Sequence, residues 1–364
     1  VDKNTRIYAV VLAGGRGERF WPKSRAARPK QLQALTGGKT MIEETLVRVA
    51  PLAPPARQWI ITSTDLAQAV SSVVGTEPKV IGEPMGRNTA PAIAMAASEI
   101  ARSDPEAVML VLPSDHHIRE VGAFRSVLAK AVGLGEQGYL ATIGLRPERP
   151  ETGYGYIELG KPLGDEGCFG VKSFREKPDP KTAEEFVASG TFLWNGGIFA
   201  WKVSIILEQI REHMAALYQA TMNWQSRGGL GAGPEVFRQY FQPLEKISID
   251  YGVMEKAARA GTDQCRGVAV VPGDFGWDDL GSWEAAARYY PGDGSGNRVS
   301  GKALALDSKN NIVVCDQGLV ALLGVEGLVV VRSGDAVLVC RRERAQEVRR
   351  VVEELGRAGE AEFL

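Results

Sequence analysis

Ile7-Tyr-Ala-Val-Val-Leu-Ala-Gly-Gly-Arg-Gly-Glu-Arg-Phe-Trp-Pro-Lys-Ser-Arg-Ala-Ala-Arg-Pro-Lys30 joins an apolar run to a glycine-rich stretch that ends in fixed cations. The run Ile7–Leu12 predicts a buried strand, and the glycines after it predict a loop. Gly14, Gly15 and Gly17 let backbone N–H groups approach phosphate oxygens without side-chain obstruction. Arg19 adds a rigid guanidinium fork and Lys30 a point charge. A polyphosphate is the ligand this combination suits. Two other phosphate motifs fail here. A dinucleotide fingerprint needs a third glycine where Phe20 stands, and no Gly-Lys-Ser/Thr follows four spacer residues.

Outward from this loop, strands and helices alternate. Strands are predicted at Gln58–Thr62, Lys79–Ile81, Ala107–Leu112 and Tyr139–Ile143. Helices are predicted after the capping box Thr40-Met-Ile-Glu43, and over Asp65–Val74, Pro91–Arg102 and Phe124–Gly133. Continuous apolar strands alternating with helices imply an α/β fold, a Rossmann-like, mixed but mostly parallel sheet flanked by helices. Ligands of such sheets bind beyond the carboxyl ends of strands. Gly14–Arg19 falls there, and so does Pro113-Ser-Asp115. The stretch from Tyr154 to Phe199 is β-rich around one helix expected to start at Thr182-x-x-Glu185, and reads as a lid on the same domain. Helices are expected over Lys202–Tyr218, Pro234–Phe241 and Tyr251–Ala260.

Pro291-Gly-Asp-Gly-Ser-Gly-Asn297 is turn-rich and poor in apolar residues, which sets an expected boundary: one domain over 1–290, a smaller one over 291–364. Short apolar strands follow at Lys302–Leu306, Asn311–Val314, Leu319–Leu323, Leu328–Arg332 and Ala336–Cys340. A closing helix presents Val348, Val351, Val352 and Leu355 on one face. A small β-solenoid or β-roll fits this pattern.

The 364 residues carry a net charge of −1, with 44% hydrophobic and 24% charged side chains. This gives no support for a nucleic-acid surface or a polybasic membrane patch. No apolar stretch approaches a membrane-spanning length, and the start of the chain lacks an export pattern. Cys168, Cys265, Cys315 and Cys340 are scattered without a Cys-x-x-Cys pair, so free thiols and a cytoplasmic location are expected. The three histidines offer no zinc site. Asp115, exposed at the end of an apolar strand, is a candidate metal ligand, because magnesium prefers carboxylate and phosphate oxygens.

Leu-Ala-Gly-Gly-x-Gly-x-Arg-x-x-Pro followed by Pro-Lys resembles the signature of sugar-1-phosphate nucleotidylyltransferases. Further stretches are similar to the mannose-1-phosphate guanylyltransferase branch: Gly86-Arg-Asn-Thr-Ala-Pro-Ala-Ile93, Phe174-Arg-Glu-Lys-Pro178, Trp194-Asn-Gly-Gly-Ile-Phe199, Ser248-Ile-Asp-Tyr-Gly-Val-Met-Glu-Lys256 and Trp277-Asp-Asp-Leu-Gly-Ser-Trp283. The resemblance covers nearly the whole chain. It implies transfer of a nucleotidyl group from GTP to mannose 1-phosphate, giving GDP-mannose and pyrophosphate. It also implies a left-handed β-helix at the C-terminus and a homodimer; some family members carry a fused sugar isomerase domain, and none is expected here after the last helix.

The resemblance further implies roles for residues. Arg19, Lys30 and Lys177 would be catalytic, with Lys177 on the sugar phosphate. Leu12, Ala13, Gly14, Gly15, Gly17, Gly86, Arg87, Asn88, Thr89 and Ser114 would bind the nucleotide, although Asn88 and Thr89 also suit a helix cap. Which of them reads which guanine edge stays open. Gly153, Glu176, Asn195 and Gly196 would line the sugar pocket, and Trp194 would pack. Asp115 and Asp279 would hold magnesium (Mg2+). The pattern Trp-x-Asp-x-Gly selects Asp279, and Asp278 would point the other way in extended chain. An attacking sugar phosphate is already an anion near neutral pH. No general base is needed, which agrees with the lack of a Ser-His-Asp or Cys-His set. Catalysis would rest on positioning and charge.

Overall fold

The computed structural model describes residues 6–164, 167–259 and 266–364. Cys265 and Ala260, named above, lie outside the described residues. In chain order the strands are β1 (Ile7–Leu12), β2 (Gln58–Ser63), β3 (Lys79–Glu83), β4 (Val108–Pro113), β5 (His117–Ile118), β6 (Leu140–Leu145), β7 (Gly155–Leu163), β8 (Cys168–Glu176), β9 (Phe192–Lys202), β10 (Val268–Gly273), β11 (Trp277–Asp278), β12 (Arg298–Leu306), β13 (Ile312–Leu323), β14 (Leu328–Ser333) and β15 (Ala336–Arg341). The α-helices are α1 (Met41–Val49), α2 (Thr64–Val74), α3 (Thr89–Ala101), α4 (Val121–Glu136), α5 (Pro180–Ser189), α6 (Val203–His213), α7 (Ala215–Ser226), α8 (Pro234–Phe241), α9 (Glu255–Arg259), α10 (Trp283–Ala287) and α11 (Arg349–Ala358).

Two compact units are present. The first comprises Val1–Gly14, Leu46–Pro113 and Ile118–Trp277, and the second Gly15–Thr45, Ser114–His117 and Asp278–Leu364. The division falls inside the glycine loop.

The first unit is built on a nine-stranded sheet in the order β3-β2-β1-β4-β9-β6-β10-β8-β7. Its first four strands are parallel, with Leu12 paired to both Ile61 and Pro113. β1, β2 and β4 are almost wholly buried, as a sheet covered on both faces requires, whereas β3 at the sheet edge leaves Lys79 exposed. β9 enters antiparallel between β4 and β6, and β6 pairs in parallel with β10. The β-rich middle therefore extends the main sheet, because β7 and β8 pair with β9 and β10. Trp201, Phe199, Met109 and Val111 sit in the core, with Ile93 of α3.

Local reading missed several boundaries in this unit. α5 starts earlier than Thr182, because Asp179 caps it by accepting the Thr182 N–H at 3.0 Å. The expected helix Lys202–Tyr218 is broken at Met214 into α6 and α7. The segment Asp250–Met254 is a π-helical turn ahead of α9. Such turns place an extra residue in the helix and often mark functional positions.

The second unit contains the glycine-loop segment and the C-terminal strands. β12, β13 and β14 are stacked in parallel, and β15 returns antiparallel to β14. The two strands expected at Asn311–Val314 and Leu319–Leu323 are one, β13, whose register against β12 shifts at Gly301. Buried Asn297 and Asn311 stack at one corner: Asn311 Nδ2 donates to Asn297 Oδ1 at 2.9 Å, and Asn311 Oδ1 accepts from Leu328 N at 2.9 Å. Each buried amide is satisfied, so successive coils are pinned in register.

The same core takes in Phe20, Trp21, Leu280, Trp283, Val329, Val331, Leu338 and Val348. Trp21 Nε1 donates to the Phe363 carbonyl at 2.8 Å, and Trp283 Nε1 to the Trp21 carbonyl at 3.2 Å. Thr40 and Glu43 form the expected capping box, with Thr40 N donating to Glu43 Oε2 at 2.8 Å.

Candidate active site

The second unit holds a cleft of about 320 Å³ lined by Gly17, Arg19, Lys30, Asp115, Asp279 and Gly281, among others. Lys30 is 6% exposed. Its ammonium donates to Asp115 Oδ2 at 2.7 Å and to the Asp279 carbonyl at 2.6 Å. Burial pushes the Asp115 carboxyl up, but the charge of Lys30, aided by His116, outweighs it and holds the group below the usual carboxylate range. Gly17 has φ 63°, and a Cβ there would stand 2.3 Å from the Lys30 Cβ. Only glycine lets the loop turn while Lys30 packs against it. At Gly14 and Gly15 an added Cβ would meet nothing within 4 Å. Arg19 lies at the exposed rim, its Nη1 donating to the Gly281 carbonyl at 3.3 Å.

The two neighbouring aspartates divide their work. Asp278 is buried and accepts hydrogen bonds from Leu280 N, Arg288 Nη1 and the Tyr289 hydroxyl at 2.9, 2.9 and 3.3 Å. It fixes the turn in which Leu280 takes φ 45°. Asp279 lines the cleft instead, and a Cβ on Gly281 would lie 3.3 Å from Asp279 Oδ2. Ser114 is buried beside Asp115, its carbonyl accepting from Thr45 Oγ1 at 3.4 Å.

The first unit brings together the other candidate residues. Asn195 of β9 is fully oriented: Nδ2 donates to Asp250 Oδ1 at 2.7 Å, and Oδ1 accepts from Gly197 N at 3.1 Å. Gly196 is held to the sheet so closely that a Cβ would meet the Ile143 carbonyl at 3.0 Å. Glu176 ends β8. Burial, reinforced by the nearby Asp250 carboxylate, pushes its carboxyl up against the pull of Lys177. Burial also raises Asp250, against its bond to Asn195. Lys177 is exposed with φ 46°, a left-handed conformation in front of a proline, and its N–H donates to the Tyr154 carbonyl at 3.2 Å. A non-glycine residue in that region stores strain, commonly at functional positions.

Gly153 is exposed and donates to Glu151 Oε1 at 3.2 Å. The glycine under Glu176 is Gly155, where a Cβ would lie 2.2 Å from Glu176 Oε1. Buried Trp194 packs edge-on against Tyr154 at 5.2 Å between ring centroids.

Leu12 and buried Ala13 follow at the end of β1; Ala13 N donates to the Ile61 carbonyl and its own carbonyl accepts from Thr62 Oγ1 at 3.0 Å. Exposed Gly86 begins the turn into α3. Asn88, at φ 65°, accepts from Thr89 N at 2.8 Å, and Thr89 Oγ1 accepts from Ile249 N at 2.9 Å. Arg87 donates to the Gln242 carbonyl. These bonds tie the turn to the segment leading into Asp250. Sequence reading assigned no part to Asp250 or Gly155. The signal for Asp250 was its place in Ser248-Ile-Asp-Tyr-Gly-Val-Met-Glu-Lys256, a stretch quoted above without a role.

Among the described residues no group of three or more His, Cys, Asp or Glu side chains could hold a metal ion alone, and no helix is long and apolar enough to cross a membrane. Cys315 and Cys340 are free thiols, the first of them buried.

Residues 8–290 match the family model for nucleotidyl transferases, and residues 301–355 match that of the mannose-phosphate isomerase/GMP-like β-helix domain. The xanthan biosynthesis protein XanB of Xanthomonas campestris pv. campestris (strain B100) is 39% identical over 98% of this chain and 74% of its own length. A mannose-1-phosphate guanylyltransferase of Escherichia coli (strain K12) is 36% identical over 98% of this chain and 75% of its own. Among solved structures, one described as mannose-1-phosphate geranyltransferase from Thermus thermophilus is 41% identical, covers 97% of this chain and 100% of its own, and superposes with a TM-score of 0.86.

Proposed function

The chain belongs to the nucleotidyl transferase family, and on that premise we propose that it joins GTP and mannose 1-phosphate into GDP-mannose with release of pyrophosphate. The observation that carries the chemistry is buried Lys30, aligned by Asp115 in a cleft that Arg19 and Asp279 also line. The named activity of the Escherichia coli relative supports the choice of substrates.

A phosphate oxygen of the sugar attacks the α-phosphorus of GTP. The new P–O bond forms as the bond to the β-phosphate oxygen breaks, and that electron pair leaves with pyrophosphate. No proton needs to move. The main obstacle is repulsion between two polyanions, so preorganised cations carry the catalysis. Arg19 and Lys30 take the triphosphate, with N–H groups of the glycine loop. Lys177 takes the sugar phosphate. Glu176, Asn195 and Gly196 take sugar hydroxyls, with Gly153 at their edge. Gly86, Arg87, Asn88 and Thr89 border the base.

Asp115 and Asp279 are a donor set that fits Mg2+, which keeps waters and phosphate oxygens and needs only one or two carboxylates. Such an ion would offset phosphate charge there. The absence of a side chain at Gly281 leaves room beside Asp279.

We place the boundary between catalytic and C-terminal domains at 290/291; the family matches over 8–290 and 301–355 support this reading, while the compact units divide at Trp277/Asp278. We further propose a cytoplasmic homodimer. Exposed Leu304, Leu306, Leu319 and Leu323 on β12 and β13 support self-association through the second unit, and light scattering would check it.

The deciding experiment is pyrophosphate release across a matrix of nucleoside triphosphates and sugar 1-phosphates. GTP with mannose 1-phosphate should exceed UTP or dTTP by roughly 10²-fold in kcat/KM, because a pyrimidine leaves buried polar groups unpaired. Equal or better use of UTP or dTTP would overturn the guanylyl assignment.

A further inference from the structure

The cleft that holds Arg19 and Lys30 is also lined by Arg349, the first residue of α11. We propose that Arg349 is a phosphate-binding residue of this cleft, held by Glu18 until a polyphosphate displaces that carboxylate. The inference rests on the reading above and adds a C-terminal residue to the machinery.

Several observations converge on it. Arg349 Nε lies 3.2 Å from Glu18 Oε2 and 3.1 Å from Glu353 Oε1. Glu353 is one helical turn away, so that pair is an ordinary surface contact. Glu18 is different: it belongs to the glycine-loop segment, between Gly17 and Arg19, and lines the same cleft. An acidic residue beside a polyanion site is unfavourable unless a cation compensates it. Arg349 supplies that compensation. Both side chains are substantially exposed, at 64% and 30%, so their attraction is weak and easily exchanged. A phosphate offers the guanidinium more charge and a matching bidentate edge.

The fold holds α11 in reach of the loop. Trp21 Nε1 bonds the Phe363 carbonyl at 2.8 Å, Arg25 bonds the Glu362 carbonyl at 3.2 Å, and Lys23 pairs with Asp316 at 2.5 Å. The chain that follows the loop's first turn is thus fastened to C-terminal residues of the same unit. Arg349, at the start of α11, therefore lines the cleft rim with an exposed guanidinium.

The test measures magnesium pyrophosphate binding by calorimetry and steady-state kinetics on the full chain, for Arg349→Gln, Arg349→Lys and Glu18→Gln. Arg349→Gln should weaken pyrophosphate binding and raise KM for GTP by about three- to tenfold. KM for mannose 1-phosphate and Tm should stay unchanged. Arg349→Lys should restore part of the loss, and Glu18→Gln should tighten pyrophosphate binding. Wild-type pyrophosphate affinity in Arg349→Gln overturns the proposal, as does a loss that falls equally on the sugar phosphate. If the wild type binds pyrophosphate but turns over no GTP, the activity reading falls while the binding comparison still decides Arg349. If it binds no pyrophosphate, both fall.

Discussion

Lys30 and Asp115 meet at 2.7 Å inside the cleft, and the same ammonium reaches the Asp279 carbonyl at 2.6 Å. One buried cation therefore organises the strand end that carries Asp115 and the turn that carries Asp279. Removing either partner leaves a charge without its counterpart, which is why the site's geometry and its charge balance cannot be varied separately.

Asp278 and Asp279 should separate stability from turnover. Asp279→Asn is expected to lower kcat by about 10²-fold or more with Tm retained, since it removes charge from the cleft. Asp278→Asn should lower Tm, by about 1–3 kcal/mol in stability, because Arg288 and Tyr289 lose their acceptor. Parallel kcat measurements at saturating magnesium and melting curves check both; normal kcat in Asp279→Asn removes its role.

Gly17→Ala tests the contact between loop and lysine. The variant combines a strained φ with a Cβ 2.3 Å from the Lys30 Cβ. Either Lys30 moves or the turn does, so a loss of more than about 1 kcal/mol is expected, together with a raised KM for GTP. Gly14→Ala, with open space around its Cβ, serves as the contrast for folding. Equal melting temperatures for wild type and Gly17→Ala would show that the contact is not limiting.

Asp250→Ala should act on the sugar side. It frees the Asn195 carboxamide, which Asp250 holds at 2.7 Å. KM for mannose 1-phosphate is expected to rise about tenfold while KM for GTP changes little. The reverse pattern in steady-state kinetics would place Asp250 on the nucleotide instead.

Glu83 gives the chain a pH signature. It is 8% exposed at the end of β3, its Oε1 makes no hydrogen bond, and burial pushes its carboxyl from 4.5 up to about 8. The native state then binds a proton that the unfolded chain has released. Its contribution to stability is intact below pH 4.5 and is lost as pH rises toward about 8. Glu83→Gln should flatten that decline and melt above wild type at pH 8 and higher. Superimposable pH profiles of Tm for the two proteins would refute a buried neutral Glu83.

Local sequence was enough for the features that depend on short-range chemistry. The run Ile7–Leu12, the glycine loop and the alternating apolar strands specified β1 to β4, because burial on both faces of a parallel sheet demands continuous apolar side chains. The same logic put Asp115 at a strand end, and the capping box at Thr40 and Glu43 formed as read. The motif Glu176-Lys-Pro178 was legible as a string, but not the left-handed turn at Lys177.

Only tertiary structure decided which groups meet. Asp278 and Asp279 are chemically identical neighbours; Arg288 and Tyr289, brought in by the helix that follows, take one and leave the other to the cleft. Asn195 is legible only as a sugar-pocket position, whereas Asp250, 55 residues on, fixes its amide. Lys30 and Asp279 are 249 positions apart, and the Trp21 to Phe363 bond spans 342. Periodicity and turn chemistry report on a few residues at a time. Contacts over such separations depend on how whole elements pack, and no local pattern encodes them.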